Sequence, residues 1–529
     1  MKSKIYKSNE AREKLAQGVD EIVDVIKVTM GAAGRNTVID YDGYPLPRTT
    51  RDGFLSGNSI FLEDKALQAG VRLVKNACET SVSETGDASS STAVLIQAIV
   101  KKGLGMIDNS VNVNLVARGM EKAKDNIIKH LNKTSKKVSF NSKNLLNVAT
   151  ISANNDKKIG GLVSDAINMS GEYGRVQIEN SNSIYTTIES KDGFIVDASL
   201  LASEFINKNG VSNELINPLV LVTNILLENI QDISNILTIT QQANRPILII
   251  GTTIQGDLLA TLVVNFVNKR LITNAVEVAQ YGENSLDMLS DIANSVGAVF
   301  ISQESGLSLQ EVTIEMLGEC EKSITDRFET RLIGGKSNKE AIEGSINNIN
   351  SQLEDKEIDP SRKEFLKDRL ASLSSGIVNI YIGSQTKVEA EELKERVEDC
   401  IGSCLVSIKK GALRGGGTAL YDASTLDNII YKGITLDDEK IGGEIIQFAI
   451  REPAITIIVN SGLERDEAVN ILDTLKNNEI YNVLNYNVEN SFRAGVIDAT
   501  LVITTALQNA VSTSIAILKT ESLIVNKNN

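Results

Sequence analysis

Apolar residues recur at helical spacing from Glu10 to Met30, where Leu15, Val19, Ile22, Val23 and Ile26 are interleaved with Lys and Glu. That spacing predicts an amphipathic helix with one buried face. Two glycines in "GAAGRN" (31–36) then predict a tight turn, and "TVID" (37–40) a short strand with no obvious hairpin partner in its own segment. "TTRDG" (49–53) is a further turn signal, and the pattern up to Lys136 is otherwise helical. The middle of the chain changes character. "RPILIIG", "NAVEVAQ" and "GAVFIS" read as buried strands, with "GDLLATLVVNFV" and "LDMLSDIANSV" as helices between them. This alternation predicts a parallel α/β sheet.

Between Asn338 and Leu373 two stripes follow one another, Ile342, Ile346, Ile349 and Leu353, then Phe365, Leu366, Arg369, Leu370 and Leu373. "IDPSRKE" separates them, with Asp359 placed to cap and Pro360 at the first helical position, so a helical hairpin is expected. After Gly383 the pattern is helical again, and no internal repeat is visible.

Composition sharpens this picture. A chain of 529 residues exceeds what one hydrophobic core serves, so several domains are expected. No apolar run reaches the length of a membrane span, and the opening "MKSKIYKSNEAREKL" lacks an apolar signal region, so the expectation is a cytoplasmic protein with no membrane partner. A formal net charge of −14 argues against a nucleic-acid partner. A single histidine, His130, removes Ser-His-Asp and Cys-His catalysis and leaves carboxylates and backbone amides as the available chemistry. Cys400 and Cys404 lie one helical turn apart without further ligands and read as small buried side chains, not a zinc site.

The chemistry concentrates in "TGDASSSTAVLIQAIV" (85–100), a glycine, a carboxylate and three hydroxyls at the entrance of a helix. Such an entrance presents unpaired N–H groups to an anion, and a carboxylate there can hold a hard cation between phosphates. The plain alternative is an ordinary helix start, with Ser89 or Ser90 as the cap. No G-x-x-x-x-G-K-[ST] loop is present.

The company this stretch keeps resembles the group I chaperonins of the GroEL type, across nearly the whole chain. "VTMGAAGRNTVID", "TTRDG", "TGDASSSTAVLIQAI", "TISANND", "RPILIIG…GDLLATLVVN", "RVEDC", "KKGALRGGGTAL" and "AGVIDAT" fall in the family's order. The resemblance implies a mixed α and α/β subunit of three domains. A mainly helical equatorial domain would comprise residues 1–135 and 412–529, an intermediate domain 136–192 and 377–411, and an α/β apical domain 193–376. Gly193, Gly376 and Gly411 would be hinges. It implies ATP with Mg²⁺ as ligands. Asp87 would coordinate the metal, within a loop that also includes Gly86 and Ala88, and Asp52 and Asp399 would orient or polarise the attacking water. The backbone of Thr29, Met30 and Gly31 and the hydroxyls of Ser89, Ser90 and Ser91 would hold phosphates. Gly416 and Asp498 would meet the ribose and Asn482 the adenine. Leu200, Phe205, Leu237, Leu259, Val263 and Val264 would bind polypeptide. The implied partners are a homo-oligomeric ring, single or double, unfolded clients and a lid co-chaperonin, with the "NTVID" strand pairing with a neighbouring subunit.

The departures from the family are specific. Ala88 and Ser89 to Ser91 stand where it has glycine and threonines, and Ala32 and Ala33 where it commonly has Pro and Lys, which removes a cation near the nucleotide. Ser234 and Glu204 replace a leucine and a tyrosine of the polypeptide-binding face. The function expected is an ATP-hydrolysing chaperonin. A ring-forming holdase with little productive hydrolysis is the alternative, and a small-molecule phosphotransferase is disfavoured by the lack of a dinucleotide fingerprint.

Overall fold

The computed structural model describes residues 3–40, 47–108, 110–153, 155–171, 175–181, 183–208, 210–279, 282–354, 358–374 and 376–526. The chain forms two compact units. One comprises Met1–Asp165, Asn180–Tyr185 and Ile382–Asn529, and the other Ala166–Glu179 and Thr186–Tyr381.

The first unit draws on both chain ends and is built on long helices. Ser8–Ile26, Lys65–Thr85, Ser89–Met106, Val113–Thr134, Asp437–Ala449 and Thr500–Leu518 share one apolar core. The predicted N-terminal stripe lies in it, with Leu15, Val19, Ile22, Val23 and Ile26 all buried. Against the expectation that no run reaches the length of a membrane span, Thr500–Leu518 is long and apolar enough to cross one by composition, but most of it is buried in this core. Both cysteines of the 400/404 pair are buried as expected.

"TVID" does find a partner in its own segment, contrary to expectation: Thr37–Ile39 pairs antiparallel with Arg48–Thr50. The partner strand is three residues long and polar, so period-two alternation had nothing to register. A second two-stranded ribbon joins the chain ends, Ser3–Lys7 with Ser522–Asn526.

The second unit is organised on a mixed sheet. Its strands run in the order Arg175–Asn180, Gly376–Ile382, Thr187–Val196, Thr330–Gly335, Gly318–Thr325, Leu219–Thr223, Ile247–Gly251, Thr273–Val278, Ala198–Leu200, with Asn213–Ile216 also on Gly318–Thr325. The 219–223, 247–251 and 273–278 strands are mutually parallel. The strands paired with them on either side are antiparallel, so the all-parallel expectation is corrected. "GAVFIS" makes only a single bridge, Ile301 to Thr223, because Gly318 and Glu319 already occupy the rest of that edge. The helical hairpin is present as Lys339–Leu353 and Pro360–Ser374, and Asp359 accepts from the amides of Ser361 (2.9 Å) and Arg362 (3.2 Å). Gly193 and Gly376, expected as hinges, lie within paired strands of this sheet, opposite Ile333 and Asp192. Gly411 instead terminates the helix Lys387–Lys410 with φ of 79°.

Candidate functional site

In the first unit a cavity of about 360 Å³ gathers every nucleotide-site residue expected from sequence except Gly86, which sits directly behind it. Thr29, Met30 and Gly31 form one wall, Asp52 a second, Asp87 to Ser91 a third, Asp399 a fourth, and Gly416, Asn482 and Asp498 the remainder.

Close backbone approach makes this convergence possible. A Cβ on Gly86 would lie 2.6 Å from the Cα of Gly402, so the 85–88 loop abuts the Lys387–Lys410 helix only because both positions are glycine. A Cβ on Gly53 would lie 2.4 Å from Ser90 Oγ. Gly416 and Gly417, with φ of 66° and 72°, turn the chain from Ala412–Arg414 into Thr418–Ser424.

The entrance of Ser89–Met106 decides between the two readings of its serines. Its cap position is Ala88, and no side chain caps the helix. Ser89, Ser90 and Ser91 occupy the first turn and line the cavity, so the ordinary-cap reading is corrected and the first amides face the recess uncapped. Ala88 itself sits at φ 86°, ψ 0°, a left-handed conformation that a Cβ disfavours.

The carboxylates are held by different means. Asp87 Oδ1 accepts from the Ala88 amide at 2.6 Å, and Oδ2 from Ser403 Oγ at 3.0 Å and Ser152 Oγ at 3.2 Å. Desolvation in the recess raises its pKa against these hydrogen bonds. Asp52 is a cap as well as a wall: Oδ1 accepts from the amides of Phe54 (2.6 Å) and Leu55 (3.2 Å) at the start of Gly53–Asn58. Burial raises its pKa too. Asp399 is pushed well above the usual carboxylate range, first by burial and then by the charges of Asp87 and Asp52. Asp498 Oδ2 accepts from the Gly417 amide at 3.3 Å, and burial pushes its pKa up to about 6. Asn482, in the hairpin Glu479–Asn482 and Asn487–Asn490, donates to Glu489 Oε2 at 2.9 Å.

Several participants were not read from sequence. Ser152 and Ser403 hold Asp87, and neither carries a local signal, since both are single hydroxyls on helices. Arg51 Nη2 donates to the carbonyls of Gly31 (2.9 Å) and Ala32 (2.6 Å). Asn460 Nδ2 donates to those of Lys27 (2.8 Å) and Met30 (2.9 Å). Together they pin the first loop. Arg51 also restores a cation beside the loop that lost one through Ala32 and Ala33.

The donor set suits Mg²⁺, which prefers few protein oxygens together with substrate phosphates. Among the described residues no three His, Cys, Asp or Glu side chains are grouped to hold a metal alone. The crowded carboxylates, each with an elevated pKa, form an environment that a cation would relieve.

In the second unit the helix Gly256–Val267 buries Leu258 and Leu262 and leaves Val264 and Val267 57% and 59% exposed. Leu259 and Val263, and Leu237 on Ser234–Ala243, are partly buried beside the same cluster, as is Leu200. Phe205 is the exception. It is 0% exposed and meets the Phe266 ring edge-on at 5.5 Å, so its expected exposed position is corrected to a buried one. Ser234 and Glu204 are exposed.

A sequence model of the TCP-1/cpn60 chaperonin family matches residues 22–528. The fold is similar to that of the chaperonin gp146 from the bacteriophage EL 2 (Pseudomonas aeruginosa), crystallised in the presence of ATP-BeFx. Crystal form II gives a TM-score of 0.70 at 20% identity, and form I 0.64 at 19%, each covering 99% of both chains.

Proposed function

The chain belongs to the TCP-1/cpn60 chaperonin family, and on that premise we propose that it is an ATP-hydrolysing chaperonin subunit that captures non-native polypeptide on an exposed apolar face. The observation that carries the nucleotide half is the uncapped entrance of Ser89–Met106, opening onto a cavity walled by Asp52, Asp87, Asp399 and Asp498. The structural neighbour's crystallisation with ATP-BeFx supports the same reading.

In this proposal the amides and hydroxyls of Ser89 to Ser91 hold phosphate oxygens, and Asp87, oriented by Ser152 and Ser403, holds Mg²⁺. When bound, Mg²⁺ supplies charge neutralisation of the phosphates. Asp399 accepts the proton of the attacking water. Its elevated pKa makes it the stronger base, and no described group hydrogen-bonds its carboxylate. Asp52 has one oxygen committed to capping, so its role is to orient that water with the other. Asp498 and Gly416 position the ribose, and Asn482 the base.

Assembly into a ring and action in the cytoplasm belong to the same proposal, with poor use of a lid co-chaperonin because Ser234 and Glu204 remove apolar area from the face that would receive it. Two short ribbons with exposed Val38, Ile5 and Ile524 offer edges for a neighbouring copy. The holdase alternative draws support from Ala88, whose strained backbone stiffens the phosphate loop. Mg²⁺-dependent phosphate release by the purified assembly separates the two readings: steady turnover abolished in Asp399→Ala supports the ATPase, and its absence in the unaltered chain supports the holdase.

A further inference from the structure

Arg396 opens the "RVEDC" stretch and Asn155 to Lys158 close "TISANNDKK", yet the nucleotide reading uses none of them. They meet in an open cleft of about 610 Å³ lined by Asn36, Arg51, Asn155, Asp156, Lys157, Lys158, Glu392 and Arg396. Arg51, Asn155, Lys157, Glu392 and Arg396 also line the nucleotide cavity, so the two are contiguous.

The charge balance of the cleft is opposite to that of the protein. Four cations face two acids, and both acids are engaged. Asp156 accepts from the amides of Lys158 (2.9 Å) and Ile159 (3.2 Å), and Glu392 lies 3.7 Å from Arg396. Among the described residues Arg51, Lys157 and Lys158 form no ion pair. Among the described residues the Nε atoms of Arg51 and Arg396 are buried without a hydrogen-bond partner. The Arg51 guanidinium is disfavoured by burial and then by the charge of Arg396, with Glu392 opposing. Two cations pressed together beside unpaired donors are arranged for an oxyanion.

We propose that this cleft is a second anion site, which takes inorganic phosphate beside the nucleotide. The proposal rests on the nucleotide reading for the source of that phosphate. Hydrolysis leaves a free oxyanion beside the carboxylates of Asp52, Asp87 and Asp399, which repel it. The adjoining cleft offers net positive charge and the Asn36 and Asn155 amides, so product moves down a charge gradient toward solvent. Arg51 is tied to the first loop and Arg396 and Lys157 also line the nucleotide cavity, which leaves Lys158 as the cation whose removal tests the cleft alone.

The test is equilibrium binding of inorganic phosphate to the assembled protein, alone, with saturating Mg-ADP, and with a non-hydrolysable ATP analogue. Phosphate binding alongside ADP is expected. It should weaken several-fold in Lys158→Gln, whose side chain lines the cleft and not the nucleotide cavity, while ADP affinity, which reports the fold of that variant, stays within threefold; Arg396→Gln/Lys158→Gln should weaken it at least tenfold and Arg396→Lys largely keep it. Loss of phosphate binding with the ATP analogue but not with ADP would mark the cleft as also receiving the terminal phosphate, and supports the site. Phosphate that competes with ADP, fails to bind at all, or binds equally well to the double variant overturns it with the nucleotide reading intact. A protein that binds phosphate through Arg396 but no nucleotide supports the cleft and sinks the nucleotide reading instead.

Discussion

Ser403 donates its hydroxyl to Asp87 at 3.0 Å, a contact between residues 316 positions apart. Ser152 reaches the same oxygen at 3.2 Å and lies 3.1 Å from Ser403, so two hydroxyls fix one carboxylate. A hydrogen bond to a charged group contributes about 1.5–3 kcal/mol, and partial compensation by the remaining serine reduces the loss. Ser403→Ala is therefore expected to weaken Mg-ATP binding about threefold to tenfold, and Ser152→Ala/Ser403→Ala further. Isothermal titration checks this, and an unchanged affinity in the double variant would remove the hydroxyls from the site.

Asp399→Ala should separate binding from turnover. Its carboxylate caps nothing and pairs with nothing among the described residues, so the fold and ground-state affinity are expected to survive while hydrolysis slows by about 10²–10⁴-fold. Asp87→Ala should instead weaken Mg-ATP binding. Comparing nucleotide titration with single-turnover hydrolysis distinguishes the two, and equal losses of affinity in both variants would contradict the assigned roles.

Much of this arrangement is legible in the sequence, and the reasons differ by element. Long helices announce themselves because one apolar face repeats over several turns, as at Leu15 to Ile26. The 85–91 loop is legible because glycine, acid and hydroxyls are adjacent along the chain. Ser403 and Ser152 are not, since their meaning depends on Gly402 meeting Gly86 across the fold. The polar hairpin at Glu479 to Asn490 and the strand Arg48–Thr50 carry no apolar alternation to betray them. The left-handed Ala88 is hidden because alanine seldom adopts that conformation.

Ala88→Gly should stabilise the protein. Relief of the Cβ penalty at φ 86° is worth about 1–2 kcal/mol, offset in part by the greater unfolded-state entropy of glycine. Ala88→Val adds a second branch at the same backbone angle and should destabilise. Urea midpoints at constant slope read both signs, and a lower midpoint for Ala88→Gly would show that the loop carries no strain.

Asp498 provides a pH test. Its pKa of about 6 stands above the ordinary 3.8 because burial penalises the charged form. A raised folded-state pKa contributes stability that is complete below the unfolded value and lost as pH climbs through the folded one. Asp498→Asn removes that ionisation and keeps an oxygen for the Gly417 amide. The stability of the variant relative to the parent should therefore climb between pH 4 and pH 7, by about 1–3 kcal/mol at ~1.4 kcal/mol per pK unit. Urea unfolding across that range reads the difference, and a flat line would place the Asp498 pKa near its ordinary value.

The apolar face of the second unit offers a contrast between a residue that touches solvent and one that does not. Val264 is 57% exposed on a helix whose burial is carried by Leu258 and Leu262, so Val264→Ser should leave unfolding within about 0.5 kcal/mol of the parent. If that face captures clients, the same change removes apolar area from the contact and should weaken binding of a non-native polypeptide several-fold, with ATPase in the absence of client unaltered. Phe205 sits beneath, fully buried against Phe266, and Phe205→Ala should cost about 3–5 kcal/mol of stability through the cavity it leaves. Its effect on clients would then follow unfolding of the unit and vanish under conditions that restore the fold. Ser234 and Glu204 are exposed polar residues, so Ser234→Leu/Glu204→Tyr adds apolar surface without displacing a core group and should strengthen capture. Client binding to the purified protein, measured beside the stability of each variant, decides the matter. A Val264→Ser variant that binds clients as tightly as the parent, or a double variant that binds no better, would move the capture surface off this helix.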